Sequence, residues 1–341
     1  MRSLDGTLEA DQKASKLIPL VKIVLTGANT YTYYGSDRIL DVTFTQEDDR
    51  QNATVLLEND DKVLTDLDLK GYQGVISVGV TTSGGDVYSP KPLMTVIAQE
   101  LPSSRGNKKG RQLTCTLQLA GIPNQLAEDR ASEEYLLDED DTKTVKTHLQ
   151  EIFGDSGASL LSAYSHCDSY DIVFGDEEGK SVCDLLDSYK PRESYSVREG
   201  SSRMERVMKL LSFTECVLRF EDDGLPHIFK PVTSGSTYDY EYELASGEHP
   251  FFAKSYRERL VIPNKIIVRS LLSQVDDDGD AVEYEGSATN SDSYDLMPKV
   301  RYYRFRVDNN GDCDDLAEAI LARFQLDAEQ GSGYVSMNVG A

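Results

Sequence analysis

The stretch from Gln112 to Leu119 decides more about the fold of this chain than any other. Leu113, Cys115, Leu117 and Leu119 alternate strictly with Gln112, Thr114, Thr116 and Gln118. An extended backbone sends successive side chains to opposite faces, so this segment has one apolar and one polar face; a helix would scatter both sets around its circumference. Such alternation belongs to a strand of an antiparallel sheet with one solvated side. Related runs precede it: Val21, Ile23 and Leu25; Ile39, Val42 and Phe44; Ala53 to Glu58; Gly71 to Val80; Met94 to Gln99. The connectors Asn59-Asp60-Asp61, Thr82 to Asp86 and Ser103 to Gly110 are made of turn formers. Short strands joined in this way predict a small barrel or sandwich, preceded by a polar arm over residues 1–16.

The pattern changes after Pro123. Val145, Leu149, Ile152 and Phe153 share one helical face, with Thr142 as the expected cap and Gly154 just past the end. Tyr170 to Phe174 reads as a short strand, and Val182, Leu185 and Leu186 as an apolar stripe. Ser202-Arg203-Met204-Glu205 has the form of a capping box, opening a helix whose stripe is Met204, Val207, Met208 and Leu211. Cys216 to Phe220 and Leu225 to Lys230 predict a hairpin turning at Gly224. Strands then return at Tyr238 to Tyr242, Leu260 to Arg269 and Arg301 to Val307, with a mobile acidic loop expected over Gln274 to Asp295. A helix over Asp314 to Gln330, with Leu316, Ile320 and Phe324 on one stripe, and a strand over Gly333 to Val339 close the chain.

Charge narrows the partners. With 59 acidic and 35 basic residues among 341, the formal net charge is −24, which argues against a surface that wraps nucleic acid or docks on an anionic membrane. The apolar stretch Leu17 to Leu25 is interrupted by Pro19 and Lys22, falls short of the roughly 20 residues a bilayer needs, and lacks the form of a signal peptide. Cys115, Cys167, Cys183, Cys216 and Cys313 are scattered and odd in number, so a disulfide framework and a zinc ribbon are not expected. Synthesis in a cytoplasm fits these features.

Catalytic and metal patterns are sparse. A calcium loop starting at Asp276 would need Gly and Glu where Ala281 and Ser287 stand, and one starting at Asp308 has Cys313 and Ala319 there. His148, His166, His227 and His249 form no metal-ligand pair, and the adjacent His166, Cys167 and Asp168 do not suit a triad, whose members come from distant segments. No nucleophile elbow, phosphate loop or dinucleotide fingerprint is present. No catalytic residue, cofactor or metal site is therefore expected. The one concentrated basic cluster is Arg105, Lys108, Lys109 and Arg111, read as an exposed loop tip that contacts an acidic neighbour, another copy of this chain being one candidate.

Five stretches, in order, resemble the hub proteins of bacteriophage tails. They are Ala53 to Asp61 followed by Leu67 to Tyr72; Cys115 to Asn124; Leu210 to Gly224 with His227 to Pro231; Arg259 to Val268; and Ala317 to Val339. The resemblance spans roughly residues 20–340, and it is structural rather than catalytic. It implies a mainly β fold with an α+β insertion: two small β-barrel domains, 17–125 and 236–341, flanking a mixed α/β domain over 126–235. More strands usually follow the position of Ala341 in that family, so the second barrel is expected to be abbreviated or completed by another chain.

The resemblance further implies a homotrimer whose two barrels per subunit make six similar units. Such a ring joins a sixfold tail tube to a threefold tip, and DNA passes through its lumen. Its implied neighbours are distal tail and tail-tube proteins, the tape measure protein and tip or fibre proteins, in a tail tip or baseplate assembled in the host cytoplasm. The alternatives are a tail-associated cell-wall hydrolase or endopeptidase, and a β-rich receptor-binding module.

Overall fold

The computed structural model describes residues 7–8, 18–47, 49–101, 113–175, 181–231, 251–275, 279–326 and 328–335. Its first eight strands are β1 (Pro19–Thr26), β2 (Thr30–Tyr34), β3 (Ile39–Glu47), β4 (Arg50–Glu58), β5 (Gln73–Thr82), β6 (Gly85–Pro90), β7 (Met94–Glu100) and β8 (Thr114–Gly121). They form one antiparallel sheet in the order β2-β1-β5-β7-β8-β4-β3, with β6 added beside β5. Ala53, Val55 and Leu57 on β4 stand directly opposite Leu119, Leu117 and Cys115 on β8, and all six are buried. The alternation at Gln112 to Leu119 is thus the signature of a cross-strand ladder facing a core.

That sheet has to curl. Strands β2 and β3 lie at opposite ends of its path, yet only residues 35–38 join them. A link this short brings the two edges together, so Tyr33 of β2 and Ile39 of β3 share the core with Ile23, Val55 and Leu117. Arg38, within that link, ties the start of β3 to the end of β4: Nη1 donates to the Glu58 carbonyl at 3.0 Å, and the guanidinium pairs with Asp61. Gly79 is required where β6 crosses, because a Cβ there would lie 2.0 Å from the Val87 carbonyl oxygen.

Helix α1 (Ile122–Glu128) follows β8 directly, with Pro123 in its first turn. Next come β9 (Tyr135–Leu136), α2 (Val145–Phe153), β10 (Val173–Phe174), α3 (Leu185–Ser188), β11 (Ser196–Val197), α4 (Arg203–Leu211), β12 (Val217–Phe220) and β13 (Pro226–Phe229). The cap of α2 is Thr144, whose hydroxyl accepts from the Thr147 N–H, rather than the expected Thr142; Gly154 ends the helix at φ 67°. Ser202 caps α4 through the Glu205 N–H, as the capping box predicts. The hairpin β12–β13 turns at Gly224, φ 77°, and β10 joins it in parallel.

The last third holds β14 (Phe251–Glu258), β15 (Lys265–Ser270), β16 (Glu285–Thr289), α5 (Ser291–Leu296), β17 (Val300–Phe305), α6 (Asn310–Leu326) and β18 (Glu329–Val335). Strands β14 and β18 pair antiparallel; β16-β15-β17 form a second sheet in which β15 and β17 run parallel. The acidic stretch expected as a mobile loop contains β16 and α5. Its strand escapes a hydrophobicity count because the residues it buries, Gly286 and Ala288, are small. A Cβ at Gly286 would fall 2.4 Å from the Asp314 backbone nitrogen, so the glycine lets α6 lie close against β16. Helix α6 starts earlier than the expected Asp314 because Asn309 and Asp312 cap it reciprocally: Asn309 accepts from the Asp312 N–H, and Asp312 accepts from Asn309 Nδ2 and the Asp308 N–H. The Tyr238 to Tyr242 run lies outside the described residues.

One core cluster runs from Ile122 in α1 through α2 and α4 to Leu321 in α6. Ion pairs reinforce it at the rim: Arg192 grips Asp308, and Arg306 reaches Glu139 and Glu193.

Candidate assembly surface

Among the described residues, the residue types that carry catalysis are dispersed. Within His166-Cys167-Asp168, His166 is exposed, the Asp168 carbonyl accepts a bond from Arg203, and burial with the nearby Asp129 charge pushes the Cys167 thiol up to about 11. Burial also raises Cys216 and Cys313 to about 11, and all five cysteines are free. His227 contacts Asp223 at 2.9 Å within its own hairpin. His148 is buried between the rings of Tyr135 and Tyr195 with Nε2 lacking a hydrogen-bond partner, and burial lowers its pKa to about 4. Among the described residues no group of three His, Cys, Asp or Glu is placed to hold a metal ion, and no helix is long and apolar enough to cross a membrane. The Asp308 to Asp312 turn is occupied by the α6 cap and by Arg192. Asp276 to Asp278 and His249 lie outside the described residues.

An open cleft of about 1060 Å³ lies between the end of the barrel and α4, with α1 along its floor. Three sets of contacts fix its walls. Asn124 of α1 accepts from the Gln51 N–H at 2.8 Å and donates to Asn52 Oδ1 at 3.0 Å, tying the helix to β4. Gln125 donates to Thr95 Oγ1 and accepts from the Tyr170 hydroxyl, spanning from β7 to the middle segment.

Arg203 does the rest. Fully buried at the start of α4, it donates through Nε and Nη2 to the Ile152 carbonyl at the end of α2, and through Nη1 to the Asp168 carbonyl and Asp129 Oδ2. One side chain thus joins α1, α2, α4 and the following loop, with every donor group directed at an acceptor. Sequence reading places Arg203 beside a cap without anticipating its burial; an Arg next to a capping serine reads as solvent-facing.

The cleft combines acid with exposed apolar surface. Asp49, Arg50, Glu128 and Glu205 are exposed on it, while Glu205 pairs with Arg206 and the Asp129 charge is met by Arg203. Ile97 projects into it 57% exposed, because the β7–β8 register shifts between Val96 and Ala98 and a bulge turns this side chain outward. The expected interface residues Arg105, Lys108, Lys109 and Arg111 lie outside the described residues, in the segment that joins β7 to β8.

No family model matches the sequence, and no curated protein does so either. Among solved structures, the chain is similar to the tail protein from Neisseria meningitidis MC58, with a TM-score of 0.50 and 10% identity over 92% of this chain and 79% of that one. It also aligns with the prophage MuSo2 43 kDa tail protein from Shewanella oneidensis, at TM-score 0.42 and 11% identity over 92% of this chain and 81% of that one. A chain of the Francisella PdpA-VgrG complex, lidded, aligns at TM-score 0.45 and 11% identity over 91% of this chain and 42% of that one. At 10% identity the first likeness is one of fold: over nine-tenths of its length, this mainly β chain is folded like a tail protein.

Proposed function

We propose that this chain is a structural protein of a bacteriophage tail, the hub of a tail tip or baseplate. The observation that carries the reading is the fold shared with the Neisseria meningitidis tail protein over 92% of the chain. The ordered sequence resemblance to tail hubs and the curled N-terminal barrel support it independently. In this reading the chain divides into barrel 17–125, mixed domain 126–235 and second barrel 236–341. Three copies close into a ring through heterologous contacts. The ring joins the sixfold tube to a threefold tip, meets tail-tube, tape measure and tip or fibre proteins, and passes DNA without gripping it. A net charge of −24 suits such a conduit, since acidic walls repel phosphates in transit. A non-enzymatic, structural role accords with the fold shared with a tail protein.

Antibody against the chain, applied to purified virions and viewed by electron microscopy, should label the distal end of the tail. Label along the tube or on the head, or particles that lack the chain, would contradict the proposal.

A further inference from the structure

We infer that the outer edge of β17 receives an extended segment of another protein, apolar at its centre and acidic on both sides of that centre.

The two edges of the β16-β15-β17 sheet are finished differently. At β16, side chains of α6 occupy outward backbone groups: Asn310 Oδ1 accepts from the Glu285 N–H at 3.1 Å, and Asp314 Oδ1 accepts from the Ser287 N–H at 2.9 Å. Covered in this way, that edge offers little to a further strand. At β17 no strand pairs on the outer side among the described residues. The side chains there stand out into solvent, with Tyr302 59% exposed and Val300 exposed beside it. Leu296, 75% exposed, Met297 and Ile262 continue this apolar surface. They are held beside the start of the strand because Asn264 donates to the Met297 carbonyl and accepts from the Lys299 N–H. An open edge flanked by exposed apolar side chains is the template for strand addition, in which main-chain bonds hold the incoming segment and side chains select it.

Charge selects the occupant. From Lys299 to Arg304 the order is Lys-Val-Arg-Tyr-Tyr-Arg, with no acidic residue. Lys299, Arg301 and Arg304 are all exposed. Arg301 lies over the Phe324 ring and Arg304 Nη1 donates to the Ser270 carbonyl, so neither charge meets a carboxylate among the described residues. Two copies of β17 paired antiparallel over their full length would set Arg301 against Arg304 twice, and like charges directly opposite are destabilising. A segment of the order acid-apolar-apolar-acid sets a carboxylate against each arginine and apolar side chains against Tyr302 and Tyr303, which is favourable at every pair. None of the described strands of this chain has that order, which points to a different protein.

Calorimetric titration of the full chain with two capped peptides, Ser-Glu-Val-Val-Glu-Thr and Ser-Lys-Val-Val-Lys-Thr, tests this. The acidic peptide should bind roughly tenfold more tightly than the basic one. Arg301→Glu with Arg304→Glu should reverse that preference, and unchanged melting shows that the variant is folded. Should it fail to fold, Lys299→Glu with Tyr302→Asp alters only exposed side chains and should weaken the acidic peptide by a similar factor. Equal binding of the two peptides, no binding of the acidic one, or binding that these substitutions leave unchanged overturns the inference. So does self-association of the native chain that the same substitutions abolish, since a second copy then holds the edge.

Discussion

Replacing Arg203 by methionine should destabilise the protein by about 3–5 kcal/mol, the usual consequence of removing one partner from a buried charge pair. Methionine fills much of the same space, so the loss comes from what is left behind. Asp129 keeps a charge without its counter-ion, the buried Ile152 carbonyl loses both of its guanidinium donors, and the Asp168 carbonyl loses one. Urea unfolding at neutral pH gives the value directly. Adding Asp129→Asn should recover part of it by removing the stranded charge, and a double-mutant cycle isolates that share. A loss below about 1 kcal/mol for Arg203→Met would mean that the guanidinium does not hold the four segments together.

Acid should weaken the fold through His148. Its folded pKa is about 4 because burial disfavours the imidazolium, with the Asp141 carboxylate only partly offsetting this from 4.0 Å. The unfolded chain carries an ordinary imidazole near 6.5. Between those values the unfolded state binds more protons than the folded one, so stability rises with pH across the window. The contribution is fully present above pH 6.5 and is lost as the pH falls towards 4, amounting to about 3 kcal/mol over the whole interval. Denaturant melts at pH 7 and pH 4.5 should differ by about 2–3 kcal/mol more in the native chain than in His148→Phe. Equal pH dependence in the two would show that His148 is not buried neutral.

Both predictions concern groups that the sequence hides, and the pattern of what it reveals is physical. Strands that bury every second residue are legible: Ala53, Val55 and Leu57 against Cys115, Leu117 and Leu119 announce both the ladder and its face. Strands that bury a single residue are not. β2 contributes Tyr33 and β6 contributes Ser89, and neither segment stands out as a strand in the sequence. β16 fails for a second reason, since contact with α6 selects glycine and alanine over large apolar side chains.

The cleft was invisible for the same reason as Arg203. It depends on where α1 and α4 come to rest against the barrel, and on a bulge that turns Ile97 outward within a run, Met94 to Gln99, that reads as regular strand. Caps lie between these extremes. Ser202 is announced by Glu205 three residues on, whereas Thr142 reads as the cap of α2 and Thr144 takes that place because the helix begins at Val145.

A single observation bears on the whole proposal: the mass and symmetry of the purified full chain, by native mass spectrometry and electron-microscopic class averages. The hub reading predicts a particle of three chain masses with a threefold ring and a central opening. A monomer at concentrations where tails assemble, or a closed particle with no opening, would contradict it.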